Sequence, residues 1–153
     1  MATTPAPPTD AAGTAGRVVS ELYTALAHRD AARAADLLAD DVSWVVPDTL
    51  PAGGAYRGRE AVGAYVARLL ETWRQLTFEP ERSIEDRGHV AVSGQSHVTC
   101  ALTGRRDRIP FAHFVAVEGG KVVAVDEHTD TMRIAALLQD DRRSSTHAVW
   151  NGL

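Results

Sequence analysis

The chain has 153 residues, of which 44% are apolar and 24% charged, and its formal net charge is −4. This length suits one globular domain with a sizeable core, and the balance of 20 acidic against 16 basic residues disfavours a nucleic-acid partner. Cys100 is the only cysteine, which excludes an intramolecular disulfide and a cysteine-rich zinc site and favours a reduced, cytoplasmic protein.

The first 16 residues predict a flexible arm, because they are rich in Pro, Gly, Ala and Thr and contain no basic residue. A secretory signal needs a basic start and a hydrophobic centre, so this segment is not expected to be one. The domain is expected to span residues 17–138, followed by a tail over residues 139–153. No apolar run approaches the roughly 18 residues of a membrane helix, so we expect no membrane partner.

Apolar residues recur with a helical period in the first half of the domain. Residues 18–27 keep them on one face and predict a first helix, and Asp30 can cap a second helix that continues to Leu38. Residues 42–46 alternate as a short strand before a turn rich in Pro and Gly. Residues 62–73 follow the 3.6-residue period over three turns, which predicts a third helix.

From Leu76 onward the apolar period is close to two, which predicts an antiparallel meander. Its four strands are expected at residues 76–85, 90–103, 109–117 and 122–129. Three N-terminal helices packed on a strongly curved antiparallel sheet give an α+β domain with a cone-shaped pocket for a small molecule. The other face of the sheet has no helix left to cover it, so we expect a homodimer.

Polar side chains on these strands are the candidates for chemistry, since burying them costs free energy unless they are paired or functional. His113 is a lone imidazole in an apolar row with Ile109 and Phe111, and Glu127 follows two valines of the last strand. A buried histidine satisfied by a backbone group is the alternative for His113. Gln95 and His97 share one face of their strand, and the alternative for them is a solvated or subunit-facing position.

The turn at Gly119 and Gly120 leaves the strand register open. A strict two-residue turn pairs His113 with Asp126, whereas a one-residue bulge pairs it with Glu127. A metal site built from the histidines of three strands is disfavoured, because no tight ligand spacing supports it. The sequence also contains no GxGxxG loop and no phosphate-binding loop, so we expect neither a metal nor a cofactor.

Three stretches carry a family resemblance: LLADDVSWVVP after the second helix, GAYRGREAVGAYVARL at the third, and FVAVEGGKVVAVDEHTDT at the closing hairpin. Through them the chain resembles the SnoaL-like family of polyketide cyclases and ketosteroid isomerase-like proteins, within the nuclear-transport-factor-2-like superfamily. The resemblance covers roughly residues 18–138. It is specific for the fold but not for the reaction, because the superfamily also includes epoxide hydrolases, dehydratases and members without catalysis.

The resemblance also suggests site residues. Similar epoxide hydrolases carry an Arg-x-Asp pair on the middle strand and a further Asp on the closing strand, where this chain has Gln95, His97 and Glu127, so the known carboxylate pair is missing. Similar polyketide cyclases set a histidine on the strand before the closing hairpin against an acid on the last strand. His113 and Glu127 fit those positions, with Glu in place of the more usual Asp.

We therefore expect a cofactor-independent acid/base enzyme, a cyclase or isomerase for a small apolar carbonyl compound such as a polyketide or another secondary metabolite. Glu127 is the predicted base and His113 its donor or orienting partner. The expected substrate-binding residues are Trp44, Tyr65, Gln95, His97, Ile109 and Phe111. The alternatives are an epoxide hydrolase or dehydratase with the same pocket, or a non-catalytic binding or dimeric accessory protein. A deep apolar cone favours catalysis, whereas a cavity plugged by aromatic residues favours a scaffold.

Overall fold

Four helices and six strands make up the part of the chain that the computed structural model describes, residues 13–140. The helices are α1 (Thr14–Ala27), α2 (Ala31–Asp36), α3 (Arg59–Thr72) and α4 (Thr131–Leu138). The strands are β1 (Leu38–Val46), β2 (Gly54–Arg57), β3 (Trp73–Asp86), β4 (His89–Cys100), β5 (Arg106–Glu118) and β6 (Lys121–Thr129). Residues 1–12 of the expected arm and 141–153 of the expected tail lie outside the described residues, and α1 begins within the segment expected to be arm.

The six strands form one sheet in the order β2-β1-β6-β5-β4-β3, which confirms the predicted α+β fold with three helices before the meander. All neighbouring strands are antiparallel except β1 and β6, which run parallel. No hairpin joins those two strands, so no tight turn dictates their relative direction. The short strand β2 was not expected, because its four residues follow the Pro- and Gly-rich turn and carry little alternation.

Helix α1 packs against the inner face of the sheet through the apolar residues that its sequence places on one side. Val18, Val19, Leu22 and Leu26 are all buried. Burying a side chain of this size contributes about 1.5–3 kcal/mol, so this face holds the helix in place. The helix therefore delivers its other inward residues to the sheet at fixed positions.

Helix α3 is fixed at both ends. Its N-cap residue is Gly58, whose φ of 84° is one that glycine adopts readily. At its other end, the guanidinium of Arg29 donates hydrogen bonds to the carbonyl oxygens of Leu70, at 2.6 Å, and of Trp73, at 2.7 Å. These bonds satisfy carbonyl groups that the end of a helix leaves unpaired. They also link the turn between α1 and α2 to the end of α3.

The hairpin between β5 and β6 contains a one-residue bulge, which is one of the two registers that the sequence allowed. Val117 pairs with Val122 but Ala116 pairs with Ala124, so Val123 is the extra residue. Beyond the bulge, His113 pairs with Glu127 and Phe114 pairs with Asp126. Since side chains alternate along a strand, His113 and Glu127 point to the same face of the sheet, toward the helices.

None of the helices between residues 13 and 140 is long and apolar enough to cross a membrane.

Candidate active site

A cavity lies between helix α3 and the inner face of the sheet, closed on one side by α4 and by the turn after β1. Its volume is about 170 Å³. Most of its wall is apolar, with Leu69, Leu76, Phe78, Ile109 and Phe111 among the lining residues. An engineered apolar cavity of roughly 150 Å³ binds benzene. The size and the lining therefore suit an apolar compound of one or two rings.

His113 and Glu127 bring the ionisable chemistry into this cavity, and both line its wall. They face each other across β5 and β6, and directly opposed residues of an antiparallel pair place their Cβ atoms about 4.5–5.5 Å apart. A small molecule in the cavity can touch both side chains. This is the arrangement needed when one group removes a proton and the other supports the charge that develops.

The carboxylate of Glu127 is held by two donors from neighbouring elements. Trp44 Nε1 on β1 donates a hydrogen bond to Oε1 at 2.6 Å, and the hydroxyl of Tyr65 on α3 donates to the same oxygen at 3.1 Å. Burial raises the pKa of Glu127 to about 7, although both hydrogen bonds act in the opposite direction. Glu127 is therefore poised to accept and return a proton near neutral pH.

His113 is neutral in the same pH range, for the corresponding physical reason. Its side chain is 6% exposed, and the rings of Phe78 and Phe111 pack against it with centroids 5.5 and 4.6 Å away. Burial lowers the pKa of His113 to about 3, with a smaller contribution from the charge of His128. A neutral imidazole carries one N–H, so it can donate a hydrogen bond but forms no ion pair with Glu127.

The structure brings together three of the residues expected to bind substrate and sets a fourth just behind them. Tyr65, Ile109 and Phe111 line the cavity. Trp44 does not line it; the indole is buried behind Glu127 and donates to its carboxylate. Trp44 is therefore an orienting partner of Glu127, which corrects the expectation that it contacts substrate.

Gln95 and His97 do not belong to the cavity, and this corrects the expectation that they bind substrate. Alternation along β4 turns Ser96 and Val98 inward to the cavity wall and turns Gln95 and His97 to the outer face of the sheet. There His97 Nε2 is hydrogen-bonded to Glu79 Oε2 at 2.7 Å. Gln95 and His97 therefore occupy the outer, solvated face of the sheet, which was the alternative to a position in the cavity.

The sequence interpretation missed Tyr23, whose hydroxyl lies 2.7 Å from Nδ1 of His113. Tyr23 lies on the buried face of α1 and is 8% exposed. A phenol on an apolar helix face is a signal, because a buried hydroxyl needs a hydrogen-bond partner. Ser96 was also missed; its hydroxyl donates to the carbonyl of Ile109 at 3.2 Å inside the cavity wall.

Between residues 13 and 140 the structure contains no group of three or more His, Cys, Asp or Glu side chains that could hold a metal ion. The histidines of β4, β5 and β6 lie on two faces of the sheet, since His113 is buried inside while His97 and His128 are exposed outside. They cannot converge on one ion.

Comparison with known proteins finds one matching family and several solved structures with a similar fold. A family model for the SnoaL-like domain matches residues 19–125. An NTF2-like protein of unknown function from Burkholderia pseudomallei has 27% identity and a TM-score of 0.76, over 84% of this chain and 100% of that chain. A putative polyketide cyclase from Xanthomonas campestris has 20% identity and a TM-score of 0.71, over 82% of this chain and 97% of that chain.

A putative SnoaL-like polyketide cyclase from Shewanella denitrificans has 15% identity and a TM-score of 0.71, over 84% of this chain and 98% of that chain. At these identities the two cyclase-named structures establish a shared fold. No curated protein matches the chain.

Proposed function

The chain belongs to the SnoaL-like domain family, and we propose on that premise that it is a cofactor-independent acid/base enzyme for a small apolar carbonyl compound. The observation that carries the proposal is the pairing of His113 with Glu127 in a mostly apolar cavity, whose lining also includes the charged Arg68. A carboxylate that is half ionised near neutral pH and a neutral imidazole donor are the two groups that enolate chemistry needs.

The proposed reaction starts with proton transfer from the carbon next to the carbonyl group to the carboxylate of Glu127. The electron pair of the broken C–H bond moves toward the carbonyl oxygen, which becomes an enolate, and the N–H of His113 donates a hydrogen bond to that oxygen. In a cyclisation the enolate carbon attacks a second carbonyl of the same molecule, and Glu127 returns its proton to the alkoxide oxygen that forms there. In an isomerisation the delocalised enolate instead takes that proton back from Glu127 at another carbon.

The substrate class follows from the cavity rather than from the reaction. The wall is apolar and the volume of about 170 Å³ suits one or two rings, as in an aromatic polyketide or a related secondary metabolite. Trp73 and Tyr65 line the cavity without filling it, which supports catalysis over a purely structural role. Epoxide hydrolysis by a carboxylate pair is not supported, because among residues 13–140 Glu127 is the one carboxylate that lines this cavity.

The test measures the proton-transfer step alone. Exchange of the α-protons of 2-tetralone, a two-ring ketone, into D₂O is followed by NMR with the wild-type protein and with Glu127→Gln. The amide keeps the shape and the hydrogen-bond acceptor for Trp44 but cannot take the proton. We expect the enzyme-catalysed exchange to fall on the order of a hundredfold or more.

The matched control is Asp126→Asn, which makes the same change one residue away on the outer face. We expect this variant to keep nearly full exchange. Equal rates for the wild type and Glu127→Gln would contradict the proposal, and loss of activity in Asp126→Asn alone would place the site on the other face of the sheet.

We also propose that two chains associate through the outer face of the sheet. Val45, Ile84 and Phe114 are 42%, 72% and 54% exposed and line one shallow groove on that face. Exposed apolar side chains in one patch are typical of an interaction surface. Sedimentation should detect a dimer at micromolar concentration and a monomer for Phe114→Glu; a wild-type species of only 16.4 kDa would contradict the proposal.

A further inference from the structure

Tyr23 reaches His113 from a different layer of the molecule. The two residues are 90 positions apart in sequence, and the phenol oxygen lies 2.7 Å from Nδ1 of the imidazole. Both side chains are more than nine-tenths buried. The ring of Phe78 stacks on Tyr23 with a centroid separation of 4.5 Å, and Phe111 meets the same ring edge-on at 6.0 Å. The hydrogen bond is therefore enclosed by aromatic rings.

The position of the shared proton follows from the two groups themselves. Burial, with a contribution from the charge of Glu127, raises the pKa of Tyr23 above its usual value, so the phenol keeps its proton. A buried O–H group needs an acceptor, and within residues 13–140 Nδ1 of His113 is the acceptor in reach. If Nδ1 carried the imidazole proton, the phenol proton would have no acceptor there. Tyr23 is therefore the donor.

An imidazole that accepts at Nδ1 and is neutral carries its proton on Nε2. Every buried polar side-chain atom between residues 13 and 140 that is shielded from solvent has a hydrogen-bond partner. Nε2 has no hydrogen-bond partner among residues 13–140, so it keeps an open surface there, and His113 lines the cavity. The N–H of His113 is the group presented to a bound molecule.

We propose that Tyr23 is a positioning residue that fixes His113 as the Nε2–H tautomer, so that the imidazole presents a permanent hydrogen-bond donor to the cavity opposite Glu127. The catalytic consequence rests on the proposed function, whereas the tautomer itself does not. Within residues 13–140 the titratable and charged groups that bear on His113 are Tyr23 from α1, Glu127 from β6 and, from the outer face, His128, and Arg68 of α3 lines the same cavity. The residues opposite it on β4 and packed from β3, Val92 and Phe78, do not titrate.

This assignment also explains how Glu127 remains a useful base. A protonated His113 beside Glu127 would favour the ionised carboxylate and pull the pKa of Glu127 down, which would make it a weaker base. The hydrogen bond from Tyr23 favours neutral imidazole and so opposes that protonation. Tyr23 therefore supports both members of the pair although it bonds to only one of them.

The test is the ¹⁵N NMR spectrum of histidine-labelled full-length protein, with the His113 signals assigned by their loss in His113→Asn. We expect Nε2 of the wild type to show the shift of a protonated ring nitrogen and Nδ1 that of an unprotonated one, unchanged from pH 5 to pH 8. In Tyr23→Phe, which keeps the ring that packs on Phe78, we expect the two tautomers to mix and the 2-tetralone exchange rate to fall about two- to fivefold, because the imidazole then presents its N–H to the cavity for only part of the time.

Tyr56→Phe is the matched control, because the hydroxyl of Tyr56 donates to the carbonyl of Ala52 and not to His113. Its His113 spectrum should match that of the wild type. A proton on Nδ1 in the wild type would overturn the proposal, and so would an unchanged spectrum in Tyr23→Phe. Failure of the proposed function is a separate outcome: the Glu127→Gln variant would then exchange 2-tetralone as fast as the wild type, whatever the tautomer of His113.

Discussion

Two histidine–glutamate pairs lie on opposite faces of the same sheet and behave differently. In the surface pair, His97 and Glu79 are hydrogen-bonded to each other at 2.7 Å and about half exposed. In the cavity pair, His113 is bonded to Tyr23, while Glu127 is bonded to Trp44 and Tyr65.

The pKa values of the two carboxyl groups move in opposite directions. The hydrogen bond from His97, followed by the charge of Arg108, lowers the pKa of Glu79 below its ordinary value. Burial raises the pKa of Glu127 to about 7. The same two residue types therefore make a solvated hydrogen-bonded pair with a lowered carboxyl pKa in one place and a base with a raised pKa beside a neutral donor in the other, and solvation decides which.

The largest effect that separates the two carboxylates is expected in the pH dependence of stability. The folded chain holds the Glu127 proton up to a pKa of about 7, whereas the ordinary value is 4.5, so the free energy of unfolding falls as pH rises through that interval. One pKa unit corresponds to about 1.4 kcal/mol. The free energy of unfolding of Glu127→Gln, measured relative to that of the wild type, should therefore increase by about 2–3 kcal/mol between pH 5 and pH 8.

Urea unfolding of both proteins at the two pH values measures this gain. Glu79→Gln is the control, because the pKa of Glu79 is lowered and the charged form of this side chain is solvated. It should show no such gain. A stability difference between Glu127→Gln and the wild type that stays constant with pH would mean that Glu127 is ionised throughout this range.

A smaller effect is expected from the donor. His113→Asn keeps an N–H group near the cavity but changes its reach, so we expect exchange of 2-tetralone to fall about tenfold, less than for loss of the base. His97→Asn removes the imidazole of the surface pair and should leave the rate unchanged. Equal losses in both variants would indicate a general effect on the sheet rather than a role in the cavity.

The smallest effect is expected from the partners of the carboxylate. Trp44→Phe removes a hydrogen bond that lowers the pKa of Glu127, so that pKa should rise further and the pH–rate profile should move to higher pH. The maximal rate at high pH should change little, because the proton acceptor remains. A shift of the profile to lower pH would contradict the assigned role of Trp44.

The sequence predicted those parts of the fold in which the spacing of apolar residues fits only one type of secondary structure. Along β5 every second residue from Ile109 to Val117 is a large apolar one except His113, and the structure buries this row together with His113. The start of β1 was expected to end a helix, because Leu38 continues the helical row of the preceding residues. Pairing with β6 at Leu38 outweighs that local signal.

The site was harder to predict because its geometry depends on one bulge. Residues 122–125 are Val, Val, Ala and Val, so hydrophobicity accepts either register and cannot choose between Asp126 and Glu127. Tyr23 was out of reach for a different reason, since its bond to His113 depends on how a helix is placed over a strand 90 residues away. The expectation that Gln95 and His97 bind substrate came from the family resemblance, although alternation along β4 placed them on the outer face of the sheet.

Because of the bulge at Val123, the hairpin between β5 and β6 can change in length by one residue without changing which side chains face the cavity. Loss of Val123 would remove the extra residue and leave Ala116 opposite Ala124, so everything beyond it would stay in place. Loss of Asp126, three positions later, would instead bring His128 opposite His113 and turn Glu127 outward. Two deletions in one strand thus differ in outcome: the first leaves the residues of the cavity unchanged, and the second replaces Glu127 by His128 beside His113.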